Sequence, residues 1–380
     1  MMNTQSASDE TEKPAAPAAG RIMSVDVLRG FDMLWLVGGA GVALGVGRML
    51  GSPVNDVIVR QFEHAKWGGF YFYDLIFPLF VFLAGMSITF SMGRMLREEG
   101  RGPALRRLFR RNIILFLLGI VYSGGLSRPW PEVRLMGVLQ RIALAGLFAG
   151  LLFCFMDWRG LVAALAVSLL AYWALLSFVP PPGHDAVTWA EGENWACWFD
   201  AQFLPGHKHY VTYDPEGILS TIPAVGTCLM GVLAGLALKS GRFRPGQKAA
   251  GFFLAGLGLV LLGYLWGFQC PIIKKIWTPT YVCVAGGYSL MLLGFFFYVV
   301  DILEMRWWTA PFIWIGVNPL TIYLARNLVE FNKIALRFTG GSIAALAGEN
   351  GGYFLQMCVS LALSLLFVWY LNRRRIYLRL

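Results

Sequence analysis

Long uninterrupted apolar blocks constrain this chain more than any other feature of its sequence. A helix that crosses the hydrocarbon core of a bilayer needs roughly 20 predominantly apolar residues, so each block of this kind predicts one crossing. Two blocks, 112–126 and 310–325, are short and need flanking residues to span, so the count has an error of about one. The predicted crossings are ten: 27–49, 70–92, 112–126, 136–155, 161–179, 218–238, 249–268, 281–300, 310–325 and 353–371.

The balance of charged and apolar residues supports a membrane fold. Only 14% of the 380 residues are charged and 57% are hydrophobic, whereas a soluble domain carries about 25% charged residues. Such a chain has too little charge for an ordinary aqueous surface, and we expect it to reside in a lipid bilayer. We therefore predict an all-α polytopic membrane protein with about ten transmembrane helices.

Lysine and arginine are unevenly distributed between the two sets of connectors. Under the predicted topology one side carries 20 of them and the other 11, with Arg141 inside a helix. Because cytoplasmic loops carry an excess of Lys and Arg, the richer side is predicted to be cytoplasmic, which places both termini there. Topology thus explains most of the net charge of +10, and we expect no nucleic-acid partner.

Two polar segments lie outside the apolar blocks. Residues 1–20 are rich in Ala, Pro, Ser and Glu and predict a disordered cytoplasmic tail. The connector 180–217 is the longest polar segment and falls on the outer side. It is large enough for a cap or lid but too short for an independent fold. Residues 21–380 are therefore predicted to form a single transmembrane domain.

Ionisable and amide side chains inside spanning helices are costly, so each is a candidate functional residue. By depth they form one group near each membrane face, with a single asparagine midway. The outer group is Asp74, Gln140, Arg141, Asp214 and Glu216; the inner group is Asp26, Arg29 and Asp32; the asparagine is Asn318. This distribution predicts a polar shaft through the helix bundle, with the reacting groups near its outer end.

His64 is the most informative of the four histidines. It lies where the first outer connector bends into the second helix, ten residues before Asp74, and Pro78 of that helix is expected to free a backbone carbonyl. An isolated interfacial histidine is usually structural, but an imidazole beside a carboxylate is a common arrangement of a general base. The other histidines, at 184, 207 and 209, are expected to be solvated, and we expect no metal site.

Seven short motifs follow one another along the chain. They are RIMSVDVLRGFD from Arg21, EHAKWGG from Glu63, DLIFPLF from Asp74, GVLQR from Gly137, DPEGIL from Asp214, KIWTP from Lys275 and GVNP from Gly316. In this order they resemble the heparan-α-glucosaminide N-acetyltransferase family and its bacterial relatives, the transmembrane glucosamine N-acetyltransferases. Any one motif is weak, but the ordered set covers nearly the whole chain and is specific.

The resemblance implies an acetyltransferase of the bacterial inner membrane. Its donor, acetyl-CoA, is expected to enter from the cytoplasmic side, and its acceptor, an amino sugar or glycan terminus, to approach from the outer side. The resemblance also marks His64 as catalytic. The lysosomal members of the family have an active-site asparagine shortly before this histidine, whereas an ungapped alignment places Gly39 or Ala40 there. This departure bears on how the acceptor is positioned.

The candidate residues can be assigned to three roles. His64 is predicted to act as general base, oriented by Asp74. The donor is assigned to Asp26, Arg29, Gln140 and Arg141, and the acceptor to Glu63, Trp67, Asp214, Glu216, Trp277 and Asn318. Gln140, Arg141 or Asn318 could donate a hydrogen bond to the oxyanion. Structural alternatives are an Arg141–Asp74 ion pair, an Asp214 N-cap on the sixth helix, and tryptophans that merely anchor the interface.

Two other classes of function fit the same features. Buried charges, an outer vestibule and broken helices also suit a solute transporter. An O-acyltransferase that modifies a cell-surface glycan or lipid would use the same donor with a different acceptor. The sequence leaves open whether transfer is direct or passes through an acetyl-histidine. A second copy of the chain is a further candidate partner.

Overall fold

The described part of the chain is built from helices. The computed structural model describes residues 22–127 and 129–378, so the predicted tail 1–20 lies outside the described residues. Within these ranges no β-strand forms, and strand-like pairing is limited to two isolated bridges, Gly68 with Ile273 and Arg134 with Gly206. In a bilayer every backbone polar group needs an internal partner, and a helix provides those partners within one segment.

Most of the α-helices follow one another with short connections, and the two connections that flank α8 are long. A π-helical segment, Trp35–Gly39, joins the first two, and the eleventh continues as the π-helical segment Phe297–Ile302. The bounds are α1 Met23–Leu34, α2 Ala40–Leu50, α3 Val54–Phe62, α4 Phe72–Glu98, α5 Arg101–Tyr122, α6 Val138–Phe155, α7 Trp158–Phe178, α8 Trp195–Phe203, α9 Thr221–Lys239, α10 Pro245–Trp266, α11 Pro279–Phe296, α12 Ala310–Val317, α13 Pro319–Val329, α14 Phe331–Thr339 and α15 Ser342–Arg373.

Among the described residues, eight helical stretches are long and apolar enough to cross a membrane. They correspond to eight of the predicted crossings, and the prediction of a multi-pass all-α fold is confirmed. The other two predicted crossings are the two short blocks. Block 112–126 falls mainly in the second half of α5, whose first half carries arginines, and block 310–325 is divided between α12 and α13 at Asn318.

Glycines let α4 and α9 approach until their backbones touch. A Cβ atom built on Gly231 of α9 would lie 1.9 Å from the carbonyl oxygen of Phe82, and one built on Gly85 of α4 would lie 2.0 Å from that of Cys228. Lipid provides no hydrophobic drive for helices to associate, so close van der Waals contact of this kind is a main source of packing energy in membranes. The contact fixes the position of α4.

The helix bundle has two ends, named here the His64 end and the Arg29 end. Helix α4 runs from the His64 end to the Arg29 end, and α1 runs the opposite way. The predicted outer connector contains α8, and it packs on the C-terminal part of α7 and on the loop between α10 and α11. Together they bury a small separate core: Tyr172, Leu176, Ala196, Cys197, Tyr213, Ile273 and Ile276.

Candidate active site

Three ionisable side chains meet at the His64 end, two of them ten residues apart and the third about 200 residues further along the chain. His64 follows α3, Asp74 is the third residue of α4, and Lys274 lies in the loop between α10 and α11. The Nδ1 atom of His64 is 2.8 Å from Oδ1 of Asp74. The Nζ atom of Lys274 is 2.9 Å from the same Nδ1 and 3.1 Å from the same Oδ1. The structure therefore brings His64 and Asp74 together and adds a lysine to them.

Both carboxylate oxygens of Asp74 have hydrogen-bond partners. The residue is fully buried, and while Oδ1 contacts His64 and Lys274, Oδ2 accepts the backbone N–H groups of Ala65 at 3.3 Å and Tyr71 at 3.1 Å. The position in the first turn of α4 adds the favourable end of the helix dipole. A buried charge is tolerated when it is paired and hydrogen-bonded, and this one is both.

Pro78 provides a further anchor for Asp74. Proline has no N–H to donate, so the carbonyl group four residues earlier, that of Asp74, lacks its helical partner. The hydroxyl group of Tyr281 on α11 donates to this carbonyl oxygen at 2.8 Å. Helix α4 continues through Pro78, and the carbonyl freed by the proline ties α4 to α11.

The imidazole of His64 faces a cavity. Its side chain is 53% exposed, and its ring lies against that of Tyr73, with the ring centroids 5.0 Å apart. Because Nδ1 contacts Asp74, Nε2 is the nitrogen left for a substrate. An imidazole that donates Nδ1–H to a carboxylate presents a lone pair on Nε2. This arrangement can accept a proton from a group bound in the cavity.

The cavity beside His64 has a volume of about 370 Å³, within the usual range for small-molecule sites. Within the described residues, no group of three or more His, Cys, Asp or Glu side chains is arranged to hold a metal ion. The polar part of the lining, besides His64, is Tyr73, Arg134, His209, Tyr210, Glu216, Lys274, Lys275 and Tyr323; the apolar part includes Met33, Leu36, Ile76, Phe77, Phe80, Leu139, Ile142 and Leu320.

Arg134 holds two carboxylates at the edge of this cavity. Its Nε and Nη2 atoms donate to the two oxygens of Asp214, each at 2.8 Å, and Nη2 also donates to Oε2 of Glu216 at 2.7 Å. Burial would raise the pKa of Asp214, but the bonds from Arg134 hold it below its ordinary value. Burial, aided by the Asp214 carboxylate, raises the pKa of Glu216. Asp214 does not cap the sixth spanning helix, because α9 begins only at Thr221.

Of the residues assigned to the acceptor, Glu216 lines the cavity and the aromatic ones do not. Trp277 is only 1% exposed, and its indole N–H donates to the Thr227 hydroxyl at 3.1 Å. It is therefore not placed to stack on a sugar, because its turn directs the ring into the core. Trp67 donates to the carbonyl of Trp189 at 2.8 Å and anchors the outer connector. Glu63 is exposed after the end of α3.

Gln140, Arg141 and Asn318 are almost completely buried and do not line the cavity beside His64. Arg141 donates from Nη2 to the carbonyl of Gly217 at 3.0 Å and to the Ser220 hydroxyl. It forms no ion pair with Asp74, which is paired with Lys274 instead. Each of the three residues retains at least one side-chain N–H group without a partner among the described residues.

A second cavity, about 290 Å³ in volume, lies toward the Arg29 end. Arg29 lines it and donates to Asp26 at 3.1 Å, to the carbonyl of Gly316 at 3.2 Å and to Ser87 at 3.1 Å. Asp26 therefore orients Arg29. Two arginines of α5 also line the cavity, Arg107 and Arg111, and neither has a hydrogen-bond or ion-pair partner in the described part of the chain. Clustered guanidinium groups of this kind suit an anion such as phosphate.

Four apolar residues line both cavities: Phe80, Leu139, Ile142 and Leu320. This set is named here the apolar neck. Along α4, the first cavity is lined between Tyr73 and Phe80 and the second between Phe80 and Ser87. Asp74 and Ser87 are separated by about 20 Å along the helix axis. The predicted shaft is thus two cavities with polar groups at the far ends and an apolar section between them.

Sequence reasoning missed two charged residues of the site, Lys274 and Arg134. Both lie in loops, where a cation is ordinary, rather than inside an apolar block, where it would be conspicuous. The available signal for Lys274 is its position directly before the motif that starts at Lys275. Arg134 carries no comparable signal, because its partners lie about 80 residues later in the chain.

Comparison with known proteins gives the family. The sequence model described as "Heparan-alpha-glucosaminide N-acetyltransferase, catalytic" matches residues 21–266. The chain is 25% identical over 423 residues to heparan-alpha-glucosaminide N-acetyltransferase of Mus musculus, covering 95% of this chain and 60% of that protein. It is 26% identical over 369 residues to the protein of the same name from Homo sapiens, covering 82% of this chain and 53% of that protein. The chain thus spans little more than half the length of these relatives.

Proposed function

The chain belongs to the heparan-α-glucosaminide N-acetyltransferase family, and from this premise we propose that it transfers the acetyl group of acetyl-CoA to the amine of glucosamine or a related amino sugar across the membrane. One observation carries the proposal. The His64–Asp74 pair faces one cavity, an arginine-lined cavity lies toward the other end of the bundle, and the apolar neck adjoins both.

The donor is proposed to bind from the Arg29 end. Coenzyme A carries several phosphate charges and cannot enter roughly 30 Å of hydrocarbon by itself. Arg107 and Arg111 can hold the phosphate groups through charge-assisted hydrogen bonds, beside Arg29. The slender pantetheine arm would pass along the apolar neck, and the acetyl thioester would then lie near His64. The nucleotide and the reacting carbonyl would thus occupy different cavities.

Transfer is proposed to be direct. The amine lone pair attacks the thioester carbonyl carbon and forms the C–N bond while Nε2 of His64 accepts the amine proton. Asp74 stabilises the imidazolium that results. The C–S bond then breaks, and the CoA thiolate leaves with the proton held by His64. The unpartnered N–H groups of Gln140, Arg141 and Asn318 are the proposed source of oxyanion stabilisation, which requires one of them to turn toward the cavity.

The acceptor is proposed to enter at the His64 end. Glu216 on the cavity wall can accept hydrogen bonds from the hydroxyl or amine groups of a sugar. Asp214 would act on the acceptor only through Arg134 and Glu216. We further propose that the protein resides in a bacterial inner membrane with both termini in the cytoplasm. The excess of basic residues on the Arg29 side supports this orientation.

The test is acetyl transfer by the purified protein with labelled acetyl-CoA and glucosamine. Replacing His64 with Ala should lower turnover at least about 100-fold, the usual contribution of a general base, while acetyl-CoA binding persists. His184→Ala is the matched control, since this exposed histidine lies in the outer connector, and it should retain wild-type turnover. Near wild-type turnover of His64→Ala would contradict the assignment.

The product distinguishes the competing functions. An amide is stable to mild alkali, whereas an ester, the product of an O-acyltransferase, is released. If the protein transfers no acetyl group but moves glucosamine into liposomes, it is a transporter and the proposal fails.

A further inference from the structure

Lys274 is the one charged residue of the site for which neither the motifs nor the mechanism above provides a role. We infer that Lys274 is a positioning residue that supplies the fixed counter-charge of Asp74, so that His64 stays neutral and available as a base. The role in catalysis rests on the proposed function. The charge arrangement itself does not, and it can be measured separately.

The contacts of the Oδ1 atom of Asp74, which lies 2.8 Å from His64 and 3.1 Å from Lys274, fit this division of charge. The Nδ1 atom of His64 can carry one proton or one lone pair, yet it lies within 3 Å of both an anion and an amine. If Lys274 is an ammonium group bonded to Asp74, Nδ1–H can donate to the same carboxylate oxygen, and Nε2 keeps its lone pair. A second ring proton, on Nε2 in addition to Nδ1, would place an imidazolium directly beside the ammonium group, which Coulomb repulsion opposes.

Lys274 and Asp74 are both largely removed from solvent, so each needs the opposite charge of the other. The side chain of Lys274 is only 17% exposed, against 0% for that of Asp74. Burial lowers the pKa of Lys274 below its ordinary value of 10.5, and the Asp74 carboxylate opposes that effect. Each charge therefore helps to stabilise the other. Removing the lysine would leave Asp74 buried with His64 as its remaining source of positive charge.

The other cationic side chains that line the cavity form ion pairs with other carboxylates. Arg134 is bonded to Asp214 and Glu216, and Lys275 is bonded to Glu191 at 2.8 Å. Among the residues that line the cavity, Lys274 is the cation in contact with both His64 and Asp74. The remaining titratable groups that face the cavity with His64 are Tyr73, His209, Tyr210, Glu216 and Tyr323.

The first experiment compares pH–rate profiles of acetyl transfer. Lys274→Met should lower turnover near neutral pH and move the acid limb upward by about one pH unit or more, the scale of shift caused by losing an adjacent charge. The KM for acetyl-CoA should stay unchanged. Lys274→Arg keeps the charge and should keep the acid limb near the wild-type position. Lys275→Met removes the same charge one residue away and should leave the acid limb in place.

The second experiment does not depend on activity. NMR of protein with ¹⁵N-labelled histidine, with the His64 signals assigned by their loss in His64→Ala, reports which ring nitrogens are protonated. At pH 8 the wild type should show a neutral ring with the proton on Nδ1, and Lys274→Met should show an imidazolium. A wild-type ring protonated on Nε2 would overturn the inference, even if Lys274→Met failed to fold.

The two failures can be told apart. If the wild type transfers no acetyl group, the proposed function fails, while the NMR experiment still tests the charge arrangement. If the wild type is active but Lys274→Met has the wild-type acid limb, or Lys275→Met shifts it equally, Lys274 does not have the inferred role.

Discussion

At the scale of single residues, Arg134 illustrates how the loops at the His64 end are held together. Its guanidinium group bonds two carboxylates from a segment about 80 residues away, and the side chain of Asp214 is completely buried. Two acidic groups this close repel each other unless a cation lies between them. Arg134 therefore fixes Glu216 at the edge of the cavity and joins the loop before α6 to the loop before α9.

Removing this cation should destabilise the protein. Arg134→Met leaves a buried carboxylate without its partner, and we expect the free energy of unfolding to fall by about 3 kcal/mol, the lower part of the range for a broken buried pair. Because Arg134 holds the pKa of Asp214 below its ordinary value, the stabilisation is present above about pH 4 and is lost as the pH falls further. Thermal unfolding in detergent at several pH values measures both effects.

Arg94→Met is the control, since Arg94 pairs with Glu98 at the surface and both side chains are more than half exposed. An exposed pair contributes about 0.5 kcal/mol or less, so its loss should barely change the Tm. Equal Tm values for Arg134→Met and Arg94→Met at neutral pH would show that the Arg134 contacts do not stabilise the loops.

At the scale of helices, the site depends on how closely α4 packs. Helix α4 carries Asp74, the Tyr73 ring and the Phe80 side chain of the apolar neck, and it also lines both cavities. Its backbone touches that of α9 at Gly85 and Gly231. A helix held by backbone contact cannot shift without opening the whole contact, so the glycines determine where these side chains lie.

Gly231→Ala should therefore impair both stability and turnover. Its new methyl group would lie 1.9 Å from the carbonyl oxygen of Phe82, so α4 and α9 must separate, at a cost of about 1–3 kcal/mol or more. The Tm in detergent and the acetyl-transfer rate should both fall.

The matched control is Gly258→Ala in α10, where a Cβ meets nothing within 4 Å. Alanine is a better helix former by about 1 kcal/mol, so this variant should be neutral or slightly stabilised. If the Gly231→Ala protein were as stable as the Gly258→Ala protein, α4 and α9 could separate without loss of stability.

At the scale of the whole molecule, the proposed function requires donor and acceptor to meet from opposite sides. Arginines line the cavity toward the Arg29 end, and the His64–Asp74–Lys274 cluster lies at the other. The thioester supplies its own driving force, so the proposed reaction needs no ion gradient. A transporter with the same helices would instead couple movement of its solute to a gradient or follow the solute's own concentration.

Sidedness can be measured with the protein reconstituted in sealed vesicles of known orientation. Acetyl-CoA should be used only from the face carrying the Arg29 end, glucosamine should be acetylated when supplied at the His64 face, and an uncoupler should leave the rate nearly unchanged. Acetylation that occurs only when both substrates share one face would contradict transfer across the membrane, although the enzyme assignment would stand.

The sequence by itself determined the membrane-spanning fold and the candidacy of His64 and Asp74. The length of an apolar block is a local property, and so is the ten-residue spacing between His64 and Asp74, which lies in the first turn of α4. The burial of Trp277 and Arg141, the partners of Arg134 and the counter-charge from Lys274 were decided only by the tertiary structure. Each depends on which helices pack together and how closely, as at Gly85 and Gly231, and the resulting contacts join residues up to about 200 positions apart. No local sequence pattern predicts these long-range contacts, because the neighbouring residues of a loop lysine do not indicate whether it faces water or a buried carboxylate.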